Sequence, residues 1–487
     1  MRMQTRLAGT SDFGQDRACV LDQGPEGTEP AVSYLFGPTF SEMKAPEQLP
    51  EQVREAARIA RAADPMDPMN LFNLHWEDDL GEVLAVVMPS ELTGVAAPIA
   101  LLVGSKFPTG SIKVGPAYAI LAEKQVFGEL QPGRDRLVVP SSGSFATALA
   151  WVASRLGYAV HAVLPDDVSS HHVRALDAFG ASVELVARDR ASLSSVMTAA
   201  QRAAEELHSV LIDPWSEFGS YRFHALVTAS AIEKLALRLG GQGVGRGVAS
   251  AFVASVGSGG TLGAGSALRA RHGTAVIAVE PFGASPLFDG GFGSHRLRDV
   301  CAGIVPWILD TSSTDGVACV SDVDALRGLA LLEESGQWLV EDHGIREDVA
   351  SRLRGLFGLS GVANFMGAIK TVKKLGLGPN DLVVTIAPDG ADADKAALET
   401  LASIEGPVGH DATIRRVEML RRVATDGFLE GRDATKRWHN QKYYPWVDGR
   451  GKSAEALEAQ RTSDFWSAQR ERGHEIDRRI LELRPPL

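Results

Sequence analysis

Between about residues 95 and 400, short apolar runs alternate with amphipathic stretches, and polar turns divide them. The apolar runs have strand length and predict strands over 98–103, 136–139, 159–164, 182–186, 209–212, 251–256, 275–279 and 382–386. Helical spacing of apolar positions predicts helices over 145–156, 173–179, 192–207, 221–239 and 360–374, with a further helical stretch near 46–63. Strands that alternate with helices imply an α/β fold whose parallel sheet is covered on both faces. Such sheets bind ligands beyond the carboxyl ends of their strands, so chemistry is expected at strand-to-helix turns.

The pattern changes at about residue 406. Residues 411–487 carry 16 basic and 13 acidic side chains, punctuated by Trp438, Tyr443, Tyr444, Trp446, Phe465 and Trp466. Mixed charge with spaced aromatics predicts helices packed on the main body, serving as a structural or oligomerising appendage or as a substrate lid. The whole chain has 487 residues and a net charge of −12, with 45% hydrophobic and 23% charged residues, which excludes global disorder and suggests two or three domains. The acidic balance argues against nucleic acid or an anionic membrane as partner. Cys19, Cys301 and Cys319 are too scattered for a disulfide framework or a metal knuckle, and no metal site is expected. With no apolar leader at the N-terminus, a cytoplasmic location is expected. The uncharged run 247–268 is long enough to span a membrane, but its six glycines fit a strand plus a Gly-rich loop better.

Four turns carry candidate chemistry. In Pro108-Thr109-Gly110-Ser111-Ile112-Lys113, a lysine occupies the first turn of an otherwise apolar helix. The positive end of a helix dipole is a poor place for a solvated ammonium, and desolvation would make the amine a nucleophile able to form a Schiff base. The bland alternative is a lysine that snorkels to water. Gly257-Ser258-Gly259-Gly260-Thr261 follows a strand and opens a helix, so its N–H groups and hydroxyls could cup a phosphate; a Gly-rich turn without ligand is the alternative. Ser141-Ser142-Gly143-Ser144-Phe145 repeats that placement and could hold a carboxylate, or Ser142 or Ser144 could simply cap the helix. Asp389-Gly390 ends the last strand and is locally an ordinary Pro-Asp-Gly turn. His171-His172 has no companions at metal-ligand spacing.

The order of these motifs, together with Leu164-Pro165, the turn at 180–183, His224 four residues before Thr228, and Val279-Glu280-Pro281, resembles the pyridoxal-phosphate enzymes of fold type II. These include cysteine synthase, cystathionine β-synthase, threonine dehydratase and tryptophan synthase β. The resemblance covers about residues 80–400 and is nearest to a cysteine-synthase-like subgroup. It implies two doubly wound parallel-sheet domains with the cofactor between them over 81–400, the smaller spanning about 114–240. An N-terminal extension (1–80) and a mainly helical C-terminal extension (406–487) flank them.

By position, the resemblance makes Lys113 the catalytic lysine that holds pyridoxal 5′-phosphate. Gly257, Ser258, Gly259, Gly260 and Thr261 would hold the phosphate, and Ser144, Asp389 and Gly390 would face the ring. Ser141, Ser142, Gly143 and Phe145 would line the substrate-carboxylate pocket. Three positions depart from the family: Ser144 stands where an Asn usually bonds the cofactor's 3′-oxygen, Asp299-Val300-Cys301 replaces Gly-Ile-Gly, and Gly390 replaces a hydroxyl that meets the pyridine nitrogen. The implied activity is β-elimination or β-replacement on a small β-substituted L-amino acid of the serine, O-activated serine or cysteine type, through an aminoacrylate. A dehydratase or ammonia-lyase, and a regulatory protein that keeps the cofactor without turnover, are the alternatives. A homodimer is expected, with a small amino acid as the only other partner.

Overall fold

The structure, a computed structural model, describes residues 36–187, 194–291, 293–297, 300 and 303–486. Cys19, Asp299, Cys301 and the first two positions of the helix expected over 192–207 lie outside them. The described strands are β1 (Ala85–Val87), β2 (Ile99–Val103), β3 (Arg136–Pro140), β4 (Ala159–Pro165), β5 (Ser182–Val186), β6 (Ser209–Leu211), β7 (Ala249–Ser255), β8 (Ala275–Pro281), β9 (Gly316–Val320), β10 (Leu382–Ala387) and β11 (Phe428–Glu430). All eight expected strands are present. The three that the pattern missed are two short antiparallel edges, β1 and β11, and the fully buried β9.

The strands form two sheets. The larger runs β1-β2-β10-β7-β8-β9-β11, parallel through its five central strands, and the smaller runs β5-β4-β3-β6, parallel throughout. Successive strand side chains point to opposite faces. Ile99, Leu101, Ala251, Val253, Ile277 and Val279 accordingly pack into one hydrophobic cluster, and Ala100, Leu102, Phe252, Ala254, Val276 and Ala278 into another. Both faces of the large sheet are therefore covered, which is why its strands read as unbroken apolar runs. The expected helix over 221–239 is an α-helix Phe218–Phe223, a π-helical turn His224–Thr228 and an α-helix Ala229–Gly241.

The charged C-terminal segment folds onto the body. Trp438, Trp446 and Trp466 are buried in the cluster that also holds the helix Val114–Val126 and the small sheet. The long helix Ser463–Leu483 lies against Val114–Val126, with Arg472 and Arg479 stacked 4.5 and 4.4 Å from the Phe127 ring. Its Asp477 accepts from the backbone N–H groups of Phe40 (2.6 Å) and Ser41 (3.0 Å) and from the Ser41 hydroxyl (2.7 Å), tying the two ends of the described chain together.

Candidate active site

Lys113 is placed by a sharp reversal after β2. Thr109 and Gly110 both adopt left-handed backbone (φ 62° and 73°), and such a φ is costly for threonine. The chain then locks onto the end of β10. Ser111 pairs with Asp389 in an antiparallel bridge, and Ile112 N–H donates to Pro388 O at 3.0 Å. The Ser111 hydroxyl accepts from Lys113 N–H at 3.3 Å, and the helix Val114–Val126 starts at once, leaving Lys113 half-buried at its positive end.

The glycine-rich loop follows β7, and Gly259 has φ +83°. Gly260 N–H turns onto the Ser258 hydroxyl at 3.3 Å, and the helix Leu262–His272 follows. The loop rests on the short helix Phe218–Phe223. A Cβ at Gly260 would collide with the Ser220 hydroxyl, and one at Gly263 would lie 2.8 Å from Tyr221 O. The other side of the same helix receives the lysine helix: a Cβ at Gly219 would be 2.8 Å from the Ile120 backbone, and one at Gly115 would overlap the Phe223 ring. Four glycines thus let one helix join the Lys113 segment to the loop. Ser220, which sequence reasoning missed, is its contact with Gly260. A small-residue pair inside a helix was the available signal.

His224 follows that helix. Its Nδ1 lies 3.0 Å from the Thr228 hydroxyl, whose oxygen also accepts from Trp76 Nε1 at 3.0 Å. Burial, and then the charge of Lys113, hold this imidazole far below its ordinary pKa, at about 3. Glu280, in the Val279-Glu280-Pro281 stretch, accepts from the N–H groups of Leu287 (3.1 and 3.2 Å) and Phe288 (3.1 Å), and burial pushes it up to about 8.

At the end of β3, the Ser141 hydroxyl accepts from Gly143 N–H (3.0 Å) and Ala146 N–H (3.2 Å). Ser141 therefore caps the helix Ser144–Leu156, the task expected of Ser142 or Ser144. The Ser144 hydroxyl instead lies 3.3 Å from His172 Nε2, and the Thr147 hydroxyl lies 3.2 Å from His172 Nδ1. Gly143 has φ +139°, and a Cβ there would strike the His172 ring. His172, given no role by its spacing, thus packs directly on this loop. The Phe145 ring belongs to the hydrophobic core.

Asp389 Oδ1 accepts from the Ser360 hydroxyl at 3.3 Å, and Asp389 O accepts from Gly358 N–H at 2.8 Å. A Cβ at Gly390 would lie 2.9 Å from Gly355 O, so the backbone leaves little room for the hydroxyl residue of the family at this position. A cavity of about 330 Å³ is lined by Ser111, Ser144, Thr147, His172, Asp389 and Gly390, among others. Beside it a cleft takes in Ser142, His172, Ser360 and Asp389. Three of the four motifs therefore converge where β2, β3 and β10 end.

The residues fit a pyridoxal phosphate. The glycine loop lies at the N-terminal end of a helix, Gly259 and Gly260 pack too closely on Leu309 and Ser220 to carry side chains and so leave their N–H groups uncovered by any side chain of their own, and Ser258 and Thr261 add hydroxyls. The model of the family described as "Pyridoxal-phosphate dependent enzyme" matches residues 104–389. A probable cysteine synthase of Bacillus subtilis is 30% identical over 288 residues, covering 58% of this chain and 83% of that protein. Among solved structures, O-ureido-L-serine synthase with O-ureido-L-serine bound shares the fold at TM-score 0.55 and 22% identity, covering 69% of this chain and 95% of that one. The cysteine synthase of Entamoeba histolytica does so at 0.55 and 19%, covering 69% and 92%. The chain belongs to the pyridoxal-phosphate-dependent enzyme family, in its fold-type-II, cysteine-synthase-like branch.

Proposed function

We propose that this enzyme carries out β-elimination or β-replacement on a small β-substituted L-amino acid, of the serine, O-activated serine or cysteine type. The observation that carries the reading is the convergence of the Lys113 turn, the Ser141–Phe145 turn and Asp389 at one cavity between the strand ends of the two sheets. When bound, pyridoxal phosphate supplies the electron sink for cleavage at the substrate α- and β-carbons. Lys113 Nζ anchors the cofactor and then moves the α-proton. The loop 257–261 binds the phosphate through backbone N–H groups and the hydroxyls of Ser258 and Thr261. Donors of the first helical turn after Gly143, with the Ser142 hydroxyl, hold the substrate carboxylate. Ser144 and His172 would border the ring's oxygen side, and Asp389 its nitrogen side. The similarity to cysteine synthases supports the substrate class. We place the enzyme in the cytoplasm as a homodimer; among the described residues no helix is long and apolar enough to cross a membrane.

Borohydride treatment of the cofactor-loaded protein will fix the label on the peptide containing Lys113. Recovery on Lys106 or Lys124 would refute the assignment. Lys113→Ala will lose the yellow colour and the label while its urea midpoint stays near that of wild type, since alanine is a good helix former. A panel of L-serine, O-acetyl-L-serine, O-phospho-L-serine, L-cysteine and L-threonine, with and without sulfide, read by mass spectrometry, tests the reaction. New amino acid with sulfide indicates replacement, and keto acid with ammonia indicates elimination. No product from any member would overturn the proposal in favour of a cofactor-binding regulator.

A further inference from the structure

We infer that the C-terminal segment 438–446 positions the phosphate-holding loop of the active site, with Lys442 as the positioning residue acting through 306–309 on Gly259. The inference rests on reading 257–261 as the phosphate cup.

Gly259 sits against this stretch. A Cβ at Gly259 would lie 3.1 Å from Leu309 Cβ, 3.2 Å from Pro306 Cβ and 3.4 Å from Leu309 Cα. Behind Pro306 and Leu309, the carbonyls of residues 305, 307 and 309 point to the C-terminal segment. Trp446 Nε1 donates to Val305 O at 2.8 Å, and Lys442 Nζ donates to Trp307 O at 3.0 Å and Leu309 O at 2.6 Å. The third Lys442 bond goes to Gln460 Oε1 at 2.7 Å. Upstream, Trp438 Nε1 donates to Leu287 O at 2.6 Å and Gln441 Nε2 to Pro286 O at 3.0 Å. Both ends of the chain between β8 and β9 are therefore held by donors from one short segment.

The identity of the central donor is the informative part. Lys442 is fully buried, and its ammonium meets two backbone carbonyls, an amide oxygen and, 5.8 Å away, the Trp466 ring. No carboxylate is bonded to it among the described residues; burial pulls its pKa down to about 7 against the opposing pull of Asp310, and Asp310 itself accepts from Ser266, Ser312 and Ser313. Burying an ammonium without a bonded acid costs stability. What the ammonium adds is three directed bonds that fix the shelf under Gly259. A fixed shelf keeps the loop's N–H groups aimed where a dianionic phosphate sits.

The test compares pyridoxal phosphate with pyridoxal, which lacks the phosphate, by titrating cofactor-free protein. Wild type should bind the phosphorylated form far more tightly. Lys442→Met should lower affinity for pyridoxal phosphate at least tenfold and change affinity for pyridoxal less than twofold. Its urea midpoint without cofactor should be somewhat lower, because Trp307 O, Leu309 O and Gln460 Oε1 lose their buried donor. Trp446→Phe, which deletes one donor and keeps the ring packing, should lose about threefold in the same selective way, and it keeps the test decisive if Lys442→Met fails to fold. Equal losses for both ligands would make Lys442 a purely structural residue and overturn the inference. So would variants that retain the wild-type ratio. A wild-type protein that does not distinguish the two ligands would overturn the cup itself, and the inference with it.

Discussion

His224 shows how a single residue near the site ties stability to pH. Its folded pKa of about 3 lies below the ordinary 6.5 of histidine, because burial and the neighbouring charge of Lys113 disfavour the imidazolium. Above pH 6.5 neither the folded nor the unfolded form carries the proton, and the group imposes no slope. Between 6.5 and about 3 the unfolded chain binds a proton that the folded chain refuses, so stability falls as pH falls, by up to roughly 1.4 kcal/mol per pH unit. His224→Gln should flatten the loss of urea stability between pH 6.5 and 4 relative to wild type. Parallel curves for the two proteins would show that His224 does not titrate in this way. Ser144 and Gly390 are also explained at this scale. His172 occupies the space beside Ser144 that a longer side chain would enter, and Gly355 O blocks a side chain at residue 390.

Among the elements, the helix Phe218–Phe223 decides the geometry, although it is only six residues long. It receives Gly115 on one side and Gly260 on the other, so a change on either side is transmitted through a close-packed contact. Gly260→Ala should push its Cβ into the Ser220 hydroxyl and cost about 1–3 kcal/mol by overpacking, with weaker binding of pyridoxal phosphate. Adding Ser220→Ala removes the obstructing oxygen and should recover most of both losses. A double variant no better than Gly260→Ala alone would show that the contact with Ser220 is not what excludes a side chain there. The coupling is expected to be non-additive because the two residues touch.

For the whole molecule, the C-terminal extension shares the main core rather than standing beside it. Trp438, Trp446 and Trp466 pack with the lysine helix and the small sheet, and Asp477 ties the last helix to the N-terminal helix Phe40–Lys44. Unfolding in urea should therefore appear as one transition, with tryptophan fluorescence and far-ultraviolet circular dichroism coinciding. An early fluorescence transition that leaves the helical signal intact would mean that the extension melts alone. Ending the chain at residue 405 should leave the cluster's apolar surface exposed and give insoluble protein.

Eight strands between 95 and 400 and several of the helices between them were legible in the sequence, because a sheet covered on both faces needs unbroken apolar runs and its helices need an apolar stripe. Lys113, the glycine loop and the two further turns were legible as well, since each depends on local backbone: a helix N-terminus, a positive φ, a close approach. β1 and β11 were too short, and β9 too featureless, to stand out as periodic segments. Pairs distant along the chain could not be read at all. That His172 abuts Ser144, that Ser220 meets Gly260, and that Lys442 reaches the carbonyls beneath Gly259 follow from how separate elements pack. No local propensity encodes a contact between separate elements, so the tertiary structure alone decided which side chains surround the site and turned a charged C-terminal tail into part of its support.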